Sequence, residues 1–232
     1  MIASWYSPAD LTALWLSLKL AMVTVIALLT IAIPLSWWLA HTRWRLRPVL
    51  EALIAMPLIL PPTVLGFYLL LFLGPAGWGG QLMVAMGEQP LAFSFTGLVI
   101  GSMIYSLPFA VQPLQATFQS IGKNSLEVAA TLRASPLDRF VSIVLPLSRR
   151  GLLTAGVLTF AHTLGEFGVL LMIGGNIPGR TQVASIAIYS HVEAMDYAAA
   201  HTLSLTMLGL SFTLLLVVFL FNRQVRFVSP VP

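Results

Sequence analysis

Residues 123–147 read KNSLEVAATLRASPLDRFVSIVLPL and form the longest polar interruption in an otherwise apolar chain. Asn124 is followed three residues later by Glu127, a spacing typical of a helix N-cap with a reciprocal carboxylate at the third helical position. The pattern predicts a short helix that ends in a turn near 133–135. A structured segment with polar edges between apolar stretches is suited to contact a partner, so we interpret it as a docking element.

A second helix start follows directly in the same stretch. Ser135 precedes Pro136, and Asp138 comes three residues after the serine. Proline is tolerated at the first helical position, where its missing N–H would have no partner anyway. Apolar residues then recur at helical spacing, which predicts a second helix with one apolar side. That side would consist of Leu137, Phe140, Val141, Val144 and Leu145.

The composition around this stretch indicates an integral membrane protein. The 232 residues are 58% hydrophobic and only 9% charged, and the mean hydropathy is +0.90. Soluble domains carry roughly 25% charged residues. The absence of cysteine excludes disulfides, thiol catalysis and cysteine metal sites. Asp10 and a long first apolar stretch argue against a cleavable signal peptide.

Hydropathy predicts a single all-α transmembrane domain, residues 1–232, without a soluble domain or an internal repeat. The polar loop occupies about 119–148. Five spans are expected at about 11–40, 51–73, 93–118, 151–173 and 201–221.

Three prolines fall within six residues of the second predicted span, namely Pro57, Pro61 and Pro62. Each removes a backbone donor that neighbouring helices or water must compensate. A structural kink is the preferred interpretation, and a bend that lines a pathway is the functional alternative.

The basic residues predict the orientation of the five spans. Ten of the 12 lysines and arginines fall in the first loop, the polar loop and the C-terminal tail, all on one side of a five-span chain. The positive-inside rule places that side in the cytoplasm, with the N-terminus outside and the C-terminus inside. The same distribution argues against nucleic-acid binding, because the charges flank membrane spans.

The polar loop resembles the "EAA" loop of ABC importer permeases. The matching positions, at the intervals of that motif, are Glu127, Ala129, Ile143, Leu145 and Pro146. The sequence departs from the motif at Val128, where alanine is usual, and at Arg133, where glycine is usual. Glycine would permit a left-handed backbone at that turn without steric cost.

The resemblance implies a type I ABC importer permease whose loop forms a coupling helix in a groove of a cytoplasmic ATPase subunit. An ordinary amphipathic loop helix is the alternative. The residues that the resemblance assigns to coupling are Glu127, Ala129, Ala130, Arg133, Pro136, Asp138, Arg139 and Pro146.

Glu166 is the most conspicuous single residue, since it falls inside the fourth predicted span. A carboxylate there costs roughly 2.5–3.5 kcal/mol on insertion scales and usually faces a cavity or a partner. His162 lies one turn earlier, within reach of a hydrogen bond, while Gly165 and Gly168 would let another helix approach closely. We favour a role in packing or gating over contact with the substrate, because an ionised glutamate would repel an anionic substrate.

Leu-Gly-Glu-Phe-Gly at 164–168 and Asn-Ile-Pro-Gly-Arg-Thr at 176–181 narrow the resemblance. Together with 57–62 and 66–70, they resemble the molybdate and tungstate permeases of the sulfate-type oxyanion family. That family implies a homodimer of permeases with two ATPase subunits and an external oxyanion-binding protein. Besides the residues around Glu166, the candidates are Pro61 and Pro62 in the pathway and Asn176 and Arg180 at the outer mouth.

The sequence thus predicts a multi-pass inner-membrane permease subunit that imports molybdate or tungstate by alternating access, coupled to a separate ATPase through 124–146. It is not expected to be an enzyme, because it has no Walker A motif, and no metal site or cofactor is expected. One alternative is a sulfate or thiosulfate permease. The other is a self-sufficient secondary transporter. Such carriers often show two homologous halves with paired broken helices, and the two halves of this sequence show no such symmetry.

Overall fold

The computed structural model describes residues 7–122, 127, 129, 131 and 133–224. Asn124, the predicted N-cap of the short helix of the docking element, and Ala130, a predicted coupling residue, lie outside the described residues. We call that short helix the first docking helix and the helix that begins at Pro136 the second docking helix. The described part is helical and contains no strand, so the predicted all-α class is confirmed. Its helices are α1 (Pro8–His41), α2 (Arg47–Ala55), α3 (Pro62–Leu73), α4 (Trp78–Ala85), α5 (Phe95–Ser120), α6 (Pro136–Gly165), α7 (Gly168–Gly174), α8 (Ala184–Glu193) and α9 (Tyr197–Gln224).

Five helical segments of the described chain are long and apolar enough to cross a membrane, as the sequence predicted. They are Pro8–His41, Pro62–Ala85, Phe95–Ser120, Pro136–Gly165 and Tyr197–Val217. Large apolar side chains are exposed along them, including Trp15, Ile26 and Leu208. A bundle that presents such residues outward is suited to contact with lipid.

Helix α1 begins at a capping box. The Asp10 N–H donates to Ser7 Oγ at 3.1 Å, and the Ser7 N–H donates to the Asp10 carboxylate at 3.1 Å. The helix has 34 residues, which corresponds to about 51 Å. It therefore exceeds a hydrocarbon core of about 30 Å, and it packs along α5 and α6.

We call the end of the bundle where α1 stops, α5 stops and α6 starts the basic end, since Arg43, Arg45, Arg139 and Arg149 lie there. A buried apolar cluster closes the bundle on this side. Its aromatic part is Trp37, whose ring meets those of Phe118 and Phe140 edge-on at 5.4 Å each. The remaining fully buried members are Leu28, Ala32, Leu39, Ala110, Val111, Leu114, Val144 and Ala155.

The second predicted span, 51–73, is not one kinked helix. Helix α2 ends at Ala55, a short 3-10 turn covers Met56–Leu58, and α3 begins only at Pro62. Neither Pro61 nor Pro62 has an N–H to donate, and a residue before proline is disfavoured in the α conformation. The segment that is long enough to cross the membrane therefore starts at Pro62 and continues through a turn into α4.

The fourth predicted span, 151–173, also differs from the structure. The second docking helix and this span form one helix, α6, from Pro136 to Gly165. Inside it, Phe140–Val144 is a π-helical segment in which the Leu145 N–H donates to the Phe140 carbonyl. Pro146 follows directly, and a π-bulge accommodates a residue that has no N–H to donate and would crowd the preceding turn.

Candidate functional site

The first docking helix ends in a left-handed turn at Arg133. Its φ is +60°, and the Ala134 N–H donates to the Ala129 carbonyl at 3.1 Å. A hydrogen bond from residue i+5 to residue i closes a Schellman motif at the C-terminus of a helix. The left-handed residue of that motif is usually glycine. The arginine thus adopts the conformation for which glycine is suited, at a cost of roughly 1–2 kcal/mol. Glu127 is exposed and Ala129 is buried.

The second docking helix begins as the sequence predicts. Ser135 is the N-cap, its Oγ accepts from the Asp138 N–H at 3.1 Å, and Pro136 holds the first helical position. The predicted apolar side, however, is divided. Phe140 and Val144 pack into the core cluster, whereas Leu137 is 73% exposed and Val141 is 52% exposed. These two side chains form an apolar surface patch beside the basic end.

Glu166 lies between two helices and not within one. Helix α6 ends at Gly165, and Glu166 has an extended backbone with ψ 135° before α7 begins at Gly168. Its side chain is 4% exposed, and neither carboxylate oxygen has a hydrogen-bond partner among the described residues. Ser102 is the neighbouring hydroxyl, and its Oγ is likewise unpartnered there.

The hydrogen bond between His162 and Glu166 that the spacing allowed does not form. His162 Nδ1 lies 3.0 Å from Ser106 Oγ, and its ring stacks on Phe109 at 4.1 Å. Ser106 Oγ also lies 3.0 Å from Thr163 Oγ1. Because the helix ends before Glu166, the i, i+4 geometry that the pairing required is lost.

A cleft of about 590 Å³ opens at this helix break. Tyr105 and Thr63 supply hydroxyls to its wall, beside Glu166 and His162. The remaining lining residues are Pro62, Ala161, Gly165, Phe167 and Gly168. Pro61 precedes α3 and does not line the cleft, so the structure brings together every predicted pathway residue except this proline.

Gly165 and Gly168 have different surroundings. A Cβ added at Gly168 would lie 2.8 Å from Pro62 Cβ, whereas one added at Gly165 would meet nothing within 4 Å. Gly168 is therefore needed for the close approach of α7 to the start of α3. Gly165 instead borders open space.

The two predicted mouth residues lie apart from this cleft. Asn176 donates to Ser190 Oγ at 2.8 Å and accepts from Gln182 Nε2 at 2.7 Å, so it joins its loop to α8. Arg180 is exposed and lines a separate cavity of about 240 Å³ with Gln89 and Phe93.

Two polar clusters were not anticipated from the sequence. Asp10 Oδ1 lies 2.8 Å from His191 Nε2, which joins the start of α1 to α8. Glu51 Oε1 accepts from Arg47 Nε at 2.8 Å and from Gln115 Nε2. The Arg47 bond is a local i, i+4 pair that the spacing could have revealed, but Asp10 and His191 are 181 positions apart. Among the described residues, no group of three or more His, Cys, Asp or Glu side chains could hold a metal ion.

Hydrogen bonds lower the pKa of Glu51 below its ordinary value of 4.5, first from Arg47 and then from Gln115. Glu51 lies in α2, which is outside the five candidate spans. Both donors stabilise the charged carboxylate. The ionised side chain therefore ties α2 to α5 at the basic end.

Five helical segments long and apolar enough to cross a membrane, a helical hairpin at the basic end and a cleft at a helix break are features that suit a multi-pass membrane transport subunit. Residues 32–230 match the model of the family described as binding-protein-dependent transport system inner membrane components, and the chain belongs to that family. It is accordingly a multi-pass protein of the inner membrane.

Two relatives show how the similarity is distributed. The molybdenum transport system permease protein ModB of Azotobacter vinelandii is 53% identical over 94% of this chain and 96% of its own length. The probable sulfate transport system permease protein cysT of Chlorella vulgaris is 32% identical over 90% of this chain and 79% of its own length.

Solved structures of transporters share the fold at low sequence identity. A bacterial alginate ABC transporter, in complex with its alginate pentasaccharide-bound periplasmic protein, superposes with a TM-score of 0.77 at 15% identity, covering 99% of this chain and 83% of the other. An inward-facing MetNI methionine ABC transporter gives a TM-score of 0.69 at 16% identity, covering 94% and 95%. The chain therefore has the fold of ABC importer permeases.

Proposed function

We propose that this chain is the transmembrane permease subunit of an ATP-driven importer that carries molybdate or tungstate across the inner membrane by alternating access. The observation that carries the proposal is the 53% identity to a molybdenum permease, which extends over 94% of the chain. Similarity along nearly the whole of both proteins includes the helices around the cleft as well as the docking loop. ATP hydrolysis is assigned to a separate subunit.

Coupling to the ATPase is assigned to the loop 124–146. The exposed patch of Leu137 and Val141 supports this role. An exposed apolar patch that is bordered by charged residues is typical of a surface that binds another protein. Exposed Glu127 lies on the preceding helix. The shape of the hairpin depends on the turn at Arg133, on the helix start at Pro136 and Asp138, and on Pro146. Ala129 is buried within it. Arg139 lies on the second docking helix beside this patch.

The assembly we propose contains two copies of this chain, two ATPase subunits and an external oxyanion-binding protein. Five spans are few to enclose a solute pathway, and two-fold symmetry is the commonest arrangement of homo-oligomers. The positive-inside rule favours a cytoplasmic basic end with the N-terminus outside. A complex whose measured mass contained one permease chain would contradict this arrangement.

Within that assembly, the Glu166 cleft is proposed as a gate and Arg180 as a residue of the outer mouth. The carboxyl of Glu166 has no cation beside it among the described residues, which disfavours it as a direct anion ligand. Exposed Arg180 presents a guanidinium, which suits the oxygens of a dianion or an acidic patch on the binding protein.

A sulfate or thiosulfate permease is the second candidate. The sulfate relative in Chlorella is less similar than the molybdenum relative and is matched over only 79% of its length. A self-sufficient carrier has less support, because the capped docking hairpin would then have no partner.

The decisive experiment is uptake of radiolabelled molybdate into proteoliposomes that contain the permease, its native ATPase and its binding protein. We expect ATP-dependent uptake that unlabelled tungstate competes with and a similar excess of sulfate does not. Uptake without the ATPase would indicate a secondary transporter. Efficient competition by sulfate, with poor competition by tungstate, would indicate the sulfate permease.

A further inference from the structure

Helix α5 carries a row of glutamines on one face. In a helical projection with 100° per residue, the row spans about 60° and consists of Gln112, Gln115 and Gln119. Tyr105 lies on the same face, two turns before Gln112. The buried side of the helix is a different one and holds Leu114 and Phe118, both fully buried in the core cluster. The helix is therefore amphipathic over its second half, although the whole segment is apolar enough to cross the membrane.

Except at Gln115, which donates to Glu51 of α2, the glutamine row is not covered by the described chain. Gln112 and Gln119 are exposed, and neither amide has a hydrogen-bond partner among the described residues. An amide placed against hydrocarbon without a partner costs roughly 2–7 kcal/mol, depending on the reference solvent. In the membrane the face therefore requires water or protein opposite it.

Two cavities follow one another along this face. Tyr105 belongs to the wall of the Glu166 cleft. A second cavity of about 470 Å³ near the basic end is lined by the three glutamines together with Glu51 and Ala52. Tyr105 and Gln119 are 14 residues apart, or about 21 Å along the helix. The two cavities thus extend along most of the thickness of the hydrocarbon core.

We infer that this face of α5 lines the route of the transported oxyanion, with the amides of Gln112 and Gln119 as its hydrogen-bond donors between the Glu166 cleft and the basic end. The inference rests on the proposed function and names the residues that the oxyanion contacts. A glutamine amide offers two N–H donors without a charge. It can solvate an oxyanion while holding it less tightly than a guanidinium would.

The charged groups at the second cavity suit release of the anion. Glu51 and Arg47 form an ion pair at 2.8 Å, and Gln115 donates to the same carboxylate oxygen. Gln115 is therefore a positioning residue that holds α2 against α5. Among the described residues that line this cavity, none is a cation that could retain a dianion.

The test uses the absence of cysteine from the chain. Gln112→Cys and Gln119→Cys are compared with Leu208→Cys, because Leu208 is 67% exposed on the apolar surface of α9. Each variant is assembled with its ATPase and binding protein in proteoliposomes and treated with a membrane-impermeant anionic thiosulfonate from the basic-end side. Labelling is followed by mass, and molybdate uptake is measured before and after.

We expect the two glutamine positions to be labelled at least about tenfold faster than Leu208→Cys, since only a thiol that contacts water ionises and reacts readily. Labelling should abolish uptake, and Gln112→Leu should lower uptake more than Gln112→Asn. Labelling no faster than at Leu208→Cys would overturn the inference, and so would rapid labelling that leaves uptake intact.

Failure of the proposed function would give a different experimental result from failure of this inference. If the parent complex imported no molybdate, the proposed cargo would be wrong. The labelling rates would still report whether this face of α5 contacts water, whichever solute is carried. The same comparison would then be repeated with sulfate as the transported ion.

Discussion

The Ala134 N–H donates to the Ala129 carbonyl at 3.1 Å, and this bond closes the first docking helix over Arg133. The bond forces a non-glycine residue to φ +60°. The sequence analysis singled out Arg133 because it departs from the motif that the loop resembles. In the structure, Arg133 has the left-handed backbone conformation that glycine would adopt at this position, so only the side chain differs from the motif.

Arg133→Gly should therefore stabilise the docking loop. Removing the left-handed strain gains roughly 1–2 kcal/mol, while the greater freedom of glycine in the unfolded chain offsets about 0.5–1 kcal/mol. Slower hydrogen exchange at the Ala134 amide would report the net gain. Arg133→Ala is the matched control, because it removes the charge and keeps the strain. If both variants exchange more slowly, the side chain and not the backbone is responsible.

Leu137→Asp should uncouple ATP hydrolysis from transport without unfolding the bundle. Leu137 is 73% exposed, so a charge there costs little in the free subunit but removes an apolar contact with the ATPase. We expect ATPase affinity to fall about tenfold, as when one anchor of an interface is lost. Affinity is measured by titrating the ATPase onto permease in nanodiscs, with thermal unfolding as a check.

Leu46→Asp is the control for that variant, because Leu46 is 53% exposed in the turn between α1 and α2 and lies outside the docking loop. Its coupling should match that of the parent. Unchanged ATPase affinity in Leu137→Asp would remove this patch from the interface. A substitution at Ala129, such as Ala129→Asp, would be less informative, since Ala129 is buried and a carboxylate there would disturb folding.

Gly168→Ala should destabilise the junction of α3 and α7, whereas Gly165→Ala should not. The new methyl group at 168 would lie 2.8 Å from Pro62 Cβ, and overpacking of this kind typically costs 1–3 kcal/mol. The methyl group at 165 would meet nothing within 4 Å. Denaturant unfolding of the two variants in the same detergent measures the difference. Equal losses would show that the contact with Pro62 is not what makes glycine necessary at 168.

Glu51→Gln should lower stability at neutral pH and have less effect in acid. The pKa of Glu51 is below 4.5 in the folded protein, so the charged form contributes stability that is present above the unfolded pKa. This contribution is lost as the pH falls through the folded pKa. The effect is small, because the side chain is about a third exposed. Melting temperatures of parent and variant between pH 7 and about 3 should converge in acid, and a constant gap would contradict the assignment.

Several features followed from local physics and could be predicted from the sequence alone. Low charge and long apolar stretches indicate membrane-crossing segments, and a helix satisfies the backbone hydrogen bonds of such a segment within itself. The Ser135, Pro136 and Asp138 cap forms as expected, because a cap involves neighbours in sequence. The resemblance of the docking loop likewise depended on spacing within 20 positions.

The tertiary structure decided where helices break and which polar groups meet. At Pro61 and Pro62 the structure has a break in place of a kink. The end of α6 at Gly165 takes Glu166 off the face of His162. The partners of His162 and His191 come from distant helices, Ser106 in α5 and Asp10 in α1. No local spacing encodes such contacts, because only the packing of the helices brings these side chains within hydrogen-bonding distance.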